Sequence, residues 1–112
     1  MDHFMNHIEL EKPMPLVKQI NYKQGDIVTE PILQSKSVTI ALMAIDRKQK
    51  VMTTKNAKDT LIYVLEGTAE VTIVEKRHIV TAGETIILPA SKPHSIYALE
   101  QFKMMFVMLL NE

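Results

Sequence analysis

The sequence predicts one all-β domain closed into a sandwich, barrel or jelly roll. Three observations carry that prediction. Apolar residues fall in short runs separated by turn residues every several positions, which is the punctuation of short strands. No stretch carries a 3.6-residue apolar stripe bounded by helix caps. The chain has 112 residues, 46% of them hydrophobic, which suffices for one core and leaves little for a second.

The elements follow in chain order. Residues 1–14 are read as an N-terminal arm or tail, because Pro13 and Pro15 break any regular element there. His3 and His7, four apart, are assigned to that mobile terminus. Residues 15–112 are the single domain. Segment 16–20 is read as a strand, followed by a turn at Lys23-Gln24-Gly25-Asp26. Segment 27–33 contains Pro31, which has no amide donor and so suits an edge strand or an irregular stretch. Segment 37–46 is rich in β-branched and apolar residues and ends at a basic turn, Arg47-Lys48-Gln49-Lys50. Segment 51–53 begins another strand and 56–59 is a loop. Segments 60–66 and 68–74 meet at a tight turn or bulge centred on Glu66-Gly67. Glu75-Lys76-Arg77 is the next polar turn. Then come 78–81, the turn Ala82-Gly83-Glu84, and a strand over 85–88 that Pro89 stops. Segments 94–99 and 102–110 complete a set of eight or more short strands.

Two of these strands are apolar on both faces, 39–45 and 102–110. In the second, Phe102, Met104, Phe106 and Met108 alternate with Lys103, Met105, Val107 and Leu109. A strand with one face in water alternates polar and apolar residues. Something therefore covers the outer face here, either a second sheet of the same chain or a second subunit, and a homodimer is the expectation.

Composition removes several function classes. Thirteen basic and thirteen acidic side chains cancel, so no net field favours nucleic acid or an anionic membrane as a partner. The chain has no cysteine, which rules out disulfides, thiolate nucleophiles and thiolate metal sites. The start, Met1-Asp2-His3-Phe4-Met5-Asn6-His7, lacks the basic and apolar regions of a secretory signal. No apolar run approaches the roughly 20 residues that span a bilayer. A cytoplasmic location is the expectation.

One segment has a specific layout: Gly83-Glu84-Thr85-Ile86-Ile87-Leu88-Pro89-Ala90-Ser91-Lys92-Pro93-His94. Gly83 permits a tight turn with positive φ. Pro89 ends the strand it opens. The loop of Ala90, Ser91, Lys92 and Pro93 then swings His94 to the start of the next strand, imidazole inward and Ser95 outward.

This layout resembles the second conserved motif of the cupin family. The stretch Thr60-Leu61-Ile62-Tyr63-Val64-Leu65-Glu66-Gly67 is similar to the end of that family's first motif, and residues 68–82 separate the two as in short cupins. The resemblance extends from about Tyr22 to the C-terminus. It implies a double-stranded β-helix, or jelly-roll barrel, around a central pocket.

The resemblance also frames a departure. Metal-binding cupins place His-x-His, then four residues, then Glu or Gln in the first motif. Counting back from Gly67 puts Thr60 at the acidic position and Thr53 and Lys55 at the histidine positions. A one-residue shift gives Thr54 and Asn56 instead. Only His94 falls on a ligand position, and Asp59 neighbours the acidic one. A divalent site for Zn, Fe, Mn or Ni normally needs three or more His, Asp, Glu or Cys ligands. No bound metal and no other cofactor is therefore expected. Eight methionines would permit Cu(I) held by thioethers and a histidine, but core filling is the favoured reading.

These readings converge on a small-molecule binding module. Its pocket is lined by Met43, Ile62, Val64, Ile96 and the alternating residues of 102–108, among them Met104 and Phe106. His94, Thr53, Thr60 and Lys55 are the placed polar groups, with Lys55 suited to a ligand carboxylate. The alternative is a metal-independent isomerase, epimerase or lyase, which the resemblance permits. There His94 is the catalytic general acid or base and Lys55 stabilises an enolate or carboxylate. Tyr63 and Tyr97 fall on the opposite face by alternation and do not supply a second catalytic group. A metal-dependent cupin enzyme, such as a dioxygenase, lacks its ligands. A packed barrel in which His94 merely hydrogen-bonds is the remaining reading.

Overall fold

The computed structural model describes residues 5–6, 8–53 and 58–110, and for Thr53, Lys58 and Leu110 the backbone alone. Among the described residues nine strands run in chain order: β1 Ile27–Gln34, β2 Val38–Ile45, β3 Lys50–Thr53, β4 Lys58–Glu66, β5 Thr68–Ile73, β6 Lys76–Thr81, β7 Thr85–Leu88, β8 His94–Ala98 and β9 Phe102–Leu110. They form two sheets, ordered β1-β2-β9-β4-β7 and β3-β8-β5-β6, with every pair antiparallel. The sheets face each other around one core as a β-barrel, the architecture that the resemblance implies. Among the described residues no helix is long and apolar enough to cross a membrane.

Register decides what faces the core. In β9 the residues Phe102, Met104, Phe106 and Met108 pair with Ile45, Met43, Ala41 and Thr39 of β2. Met104, Phe106 and Met108 pair with Val64, Ile62 and Thr60 of β4. Directly opposed residues share a face, so this set lines the barrel interior. In the second sheet His94, Ile96 and Ala98 stand opposite Ile73, Val71 and Ala69, and β8 alternates between buried and half-buried positions along its length. One end of the interior is filled by Ile45, Val64, Val71, Ala98 and Phe102, none of them exposed.

Pro31 sits where its chemistry allows it. β1 is an edge strand of its sheet, and its register to β2 shifts between Pro31 and Leu33. Gly67 makes the β4–β5 connection with φ +84°, and a Cβ there would collide with the carbonyl oxygen of Gln101 and come within 2.7 Å of the Phe102 Cα. Glycine at this position is thus required both by backbone conformation and by space.

Three expectations are corrected. Segment 16–20 is not a strand; Leu16–Lys18 is a 3₁₀ turn entered from Pro15 at φ −79°. Leu16 and Ile20 both pack on the outer face of the five-stranded sheet, and the Val17 carbonyl accepts a hydrogen bond from Lys103 Nζ at 2.7 Å. The β5–β6 turn is Val74-Glu75, and Lys76 and Arg77 already belong to β6. An apolar, β-branched Val74 at φ +59° is a poor turn signal, so charge drew the expected turn too far along. Finally, Lys58 and Asp59 belong to β4 rather than to a loop; of the expected loop, 56–57 lie outside the described residues, as do His3 and His7.

The apolar outer face of β2 and β9 is covered in part by the N-terminal segment. Ile8, Leu16, Ile20 and Tyr22 pack with Leu42, Ala44 and Met105, and the Asn6 amide donates to the Ile32 carbonyl at 2.7 Å. Lys103 anchors this cover. It is 8% exposed, lies 3.8 Å from Glu66 Oε2, and stands 5.1 Å from the centroid of the Tyr22 ring. The Tyr22 hydroxyl donates to Glu66 Oε2 at 2.6 Å. Burial and that carboxylate hold the phenol above its usual range, so it stays protonated and keeps donating.

Candidate functional site

The site is built outward from the turn at Gly83 that leads from β6 in one sheet to β7 in the other. Gly83 adopts φ +89°, with open space where a Cβ would sit. Glu84 caps the turn by accepting from the Thr81 amide at 2.8 Å and the Thr81 hydroxyl at 3.0 Å. These bonds hold the Glu84 carboxyl below its usual range. The Gly83 amide donates to the Val64 carbonyl, and the Val64 amide to the Glu84 carbonyl. Together they fix the start of β7 against β4. Thr85 Oγ1 adds a bond to the Ile62 carbonyl at 2.8 Å.

β7 stops at Pro89, and a turn follows in which the Lys92 amide donates to the Pro89 carbonyl. The Ala90 amide donates to Asp59 Oδ1 at 2.7 Å. This bond ties the loop to β4 one residue from Thr60. The Val74 amide donates to the Pro93 carbonyl and secures the loop's far end. His94 then enters β8 opposite Thr53 and Ile73, with its side chain turned into the barrel.

There it borders a cavity of about 190 Å³. The five-stranded sheet contributes Met43, Thr60, Ile62, Met104 and Phe106, and the four-stranded sheet His94 and Ile96. Met108, last of the alternating set on β9, lines it as well. Val51 and Leu88 also line it and were not anticipated. Both carried a signal: Val51 lies two residues before Thr53 on the same strand face, and Leu88 is paired with Thr60. Val64 faces inward but lies in the packed end of the barrel beside Phe102, where no space remains. The Thr53 side chain and all of Lys55 lie outside the described residues. Tyr63, on the other face of β4, is 37% exposed, and Tyr97 lies on the outward row of β8.

Thr60 and His94 are each 7% exposed and are the two polar side chains on the cavity wall among the described residues. Burial lowers the His94 pKa from its ordinary value, because a desolvated imidazolium is penalised. The ring is neutral at pH 7, with one nitrogen donating and the other accepting. A wider depression of about 650 Å³ near Lys76 and Lys92 lies on the exterior and is open surface rather than an enclosed site.

Metal-binding members of the fold family hold their ion at the positions of His94 and Thr60, so the donor set here tests the fit. Asp59 is turned away to the Ala90 amide. Among the described residues no group of three or more His, Cys, Asp or Glu comes together. A hydroxyl and one imidazole do not make the set that a divalent ion needs, and the residues described do not fit one. Nor does any described carboxylate line the cavity to serve as the partner of a catalytic His94.

A family model for the cupin domain matches residues 43–110, more than half of the chain. Comparison with curated proteins gives no match. Among solved structures, a conserved protein of unknown function from Streptococcus pyogenes is 29% identical, with a TM-score of 0.94 over 99% of this chain and 97% of that one. A cupin superfamily protein from Desulfitobacterium hafniense is 25% identical, with a TM-score of 0.90 over 96% and 98%. A cupin 2 conserved barrel domain protein from Leptotrichia buccalis is 19% identical, with a TM-score of 0.90 over 96% of this chain and 51% of that one; this last likeness is one of fold.

Proposed function

The chain belongs to the cupin family, and on that premise we propose that it binds a small organic molecule in the barrel cavity beside His94, without a tightly bound metal. One observation carries this reading: the interior is not filled throughout. Side chains close it at the Phe102 end but leave about 190 Å³ around His94 and Thr60. A recessed, mostly apolar space with a few placed polar groups is how small-molecule sites are built.

The test is thermal denaturation of the purified chain against a panel of small compounds. A ligand at 100 times its Kd adds about 2.7 kcal/mol of stability, a shift of several degrees. Phe106→Trp, which fills the cavity from its wall, is expected to abolish that shift. A shift that survives Phe106→Trp places the ligand elsewhere and contradicts the proposal.

A homodimer belongs to the same proposal. The N-terminal segment leaves part of the five-stranded sheet's outer face uncovered: Leu109 on β9 is 50% exposed and Ile87 on β7 is 52% exposed. Light scattering on the intact chain measures the mass directly, and a monomer at micromolar concentration overturns this part.

A further inference from the structure

We infer that the cavity selects a single-ring or similarly compact apolar molecule carrying one hydrogen-bonding group, and disfavours sugars. The inference rests on the cavity being the binding site and names the class of its occupant.

Size comes first. An apolar cavity of about 150 Å³ takes up benzene, and drug-sized sites begin near 300 Å³. At about 190 Å³ this cavity accepts one six-membered ring with a small substituent.

Polarity comes next. Of the ten described residues on the wall, eight are apolar, and the polar two are Thr60 and His94. Inside such a wall a polyol surrenders its water and finds partners for only one or two hydroxyls. Each hydroxyl left unpaired weakens binding by about tenfold or more. One oxygen or nitrogen on the ligand is what Thr60 and His94 can meet, since a hydroxyl and a neutral imidazole both donate and accept.

The three methionines on the wall, Met43, Met104 and Met108, favour the same class, because their flexible, polarisable side chains close around apolar ligands of varied outline.

Two compounds share one ring size and separate these terms: cyclohexanol and myo-inositol. Calorimetric titration of the full chain and of Phe106→Trp is expected to show cyclohexanol binding at least tenfold more tightly than myo-inositol, with binding lost in the variant. Thr60→Val, close in shape, is expected to weaken cyclohexanol severalfold. If inositol binds as tightly as cyclohexanol and Phe106→Trp abolishes it, the cavity remains the site but the inferred class is wrong. If neither binds, the class inference falls, and only hits from the wider panel sustain the cavity. If cyclohexanol binds equally to Phe106→Trp, both readings fall.

Discussion

Asp59 and Ala90 are joined by a 2.7 Å hydrogen bond, carboxylate oxygen to backbone amide, and that bond fixes the loop which delivers His94. Asp59 neighbours the position where metal-binding relatives carry an acidic ligand. In this chain its carboxylate turns outward and positions a loop instead.

Asp59→Ala is expected to destabilise the chain by about 1.5 kcal/mol, the scale of a hydrogen bond to a charged group. Asp59→Asn keeps an acceptor and is expected to lose about half as much. Urea denaturation of both variants checks this, and cyclohexanol affinity should fall further in Asp59→Ala than in Asp59→Asn. Equal stability of all three proteins would mean that the loop is held by other contacts.

Gly67 and Gly83 both have positive φ, at +84° and +89°, but differ in space: a Cβ on Gly67 meets backbone of Gln101 and Phe102, while one on Gly83 meets nothing within 4 Å. Gly83→Ala therefore pays only for backbone conformation, about 1–2 kcal/mol. Gly67→Ala forces β9 away from the β4–β5 connection, at a cost of about 3 kcal/mol or more. Chemical denaturation midpoints rank the two, and equal losses would contradict the packing described at Gln101.

Val74 holds φ +59° while 57% exposed, so its burial offers little in return for a conformation that β-branched residues disfavour. Val74→Asn keeps the amide that donates to Pro93 and suits left-handed backbone. It is expected to raise stability by about 1 kcal/mol, read from the denaturation midpoint. A loss of stability would show that the Val74 side chain packs to more effect than its exposure suggests.

The His94 pKa is depressed by burial, which sets a direction for pH dependence. Above about pH 6.5, the ordinary value for histidine, the ring is neutral both folded and unfolded, and its contribution to stability is complete. As pH falls below that value the unfolded chain takes up a proton that the folded chain resists, so stability falls, by at most about 1.4 kcal/mol per pH unit. His94→Gln is expected to flatten that part of the stability–pH profile between pH 5 and 7. An unchanged profile would show that the dependence does not come from His94.

Much of this architecture is legible in the residues. The Gly83–Pro89–His94 spacing marks strand, stop and inward histidine because each residue type has a backbone reason to stand where it does. Pro31 points to an edge for the same reason. Alternation along β9 finds Met104 and Phe106 without knowledge of their partners. What alternation does not reveal is depth: Val64 faces inward like Ile62 but lies where Phe102 has already filled the barrel. The 3₁₀ turn at Leu16 escapes the sequence because its cause is tertiary, in the capture of the Val17 carbonyl by Lys103. Val74 escapes because the turn there runs against local preference.

The cavity methionines offer the most direct measurement. In a ¹H–¹³C correlation spectrum of methionine methyl groups, cyclohexanol titrated into the chain is expected to shift Met43, Met104 and Met108, which line the cavity. Met52, 74% exposed on the outside, and Met105, which packs on the outer face of β9, are expected to stay in place. Cavity methyls that remain fixed at saturating ligand, or shifts confined to Met52 and Met105, would contradict a binding site inside the barrel.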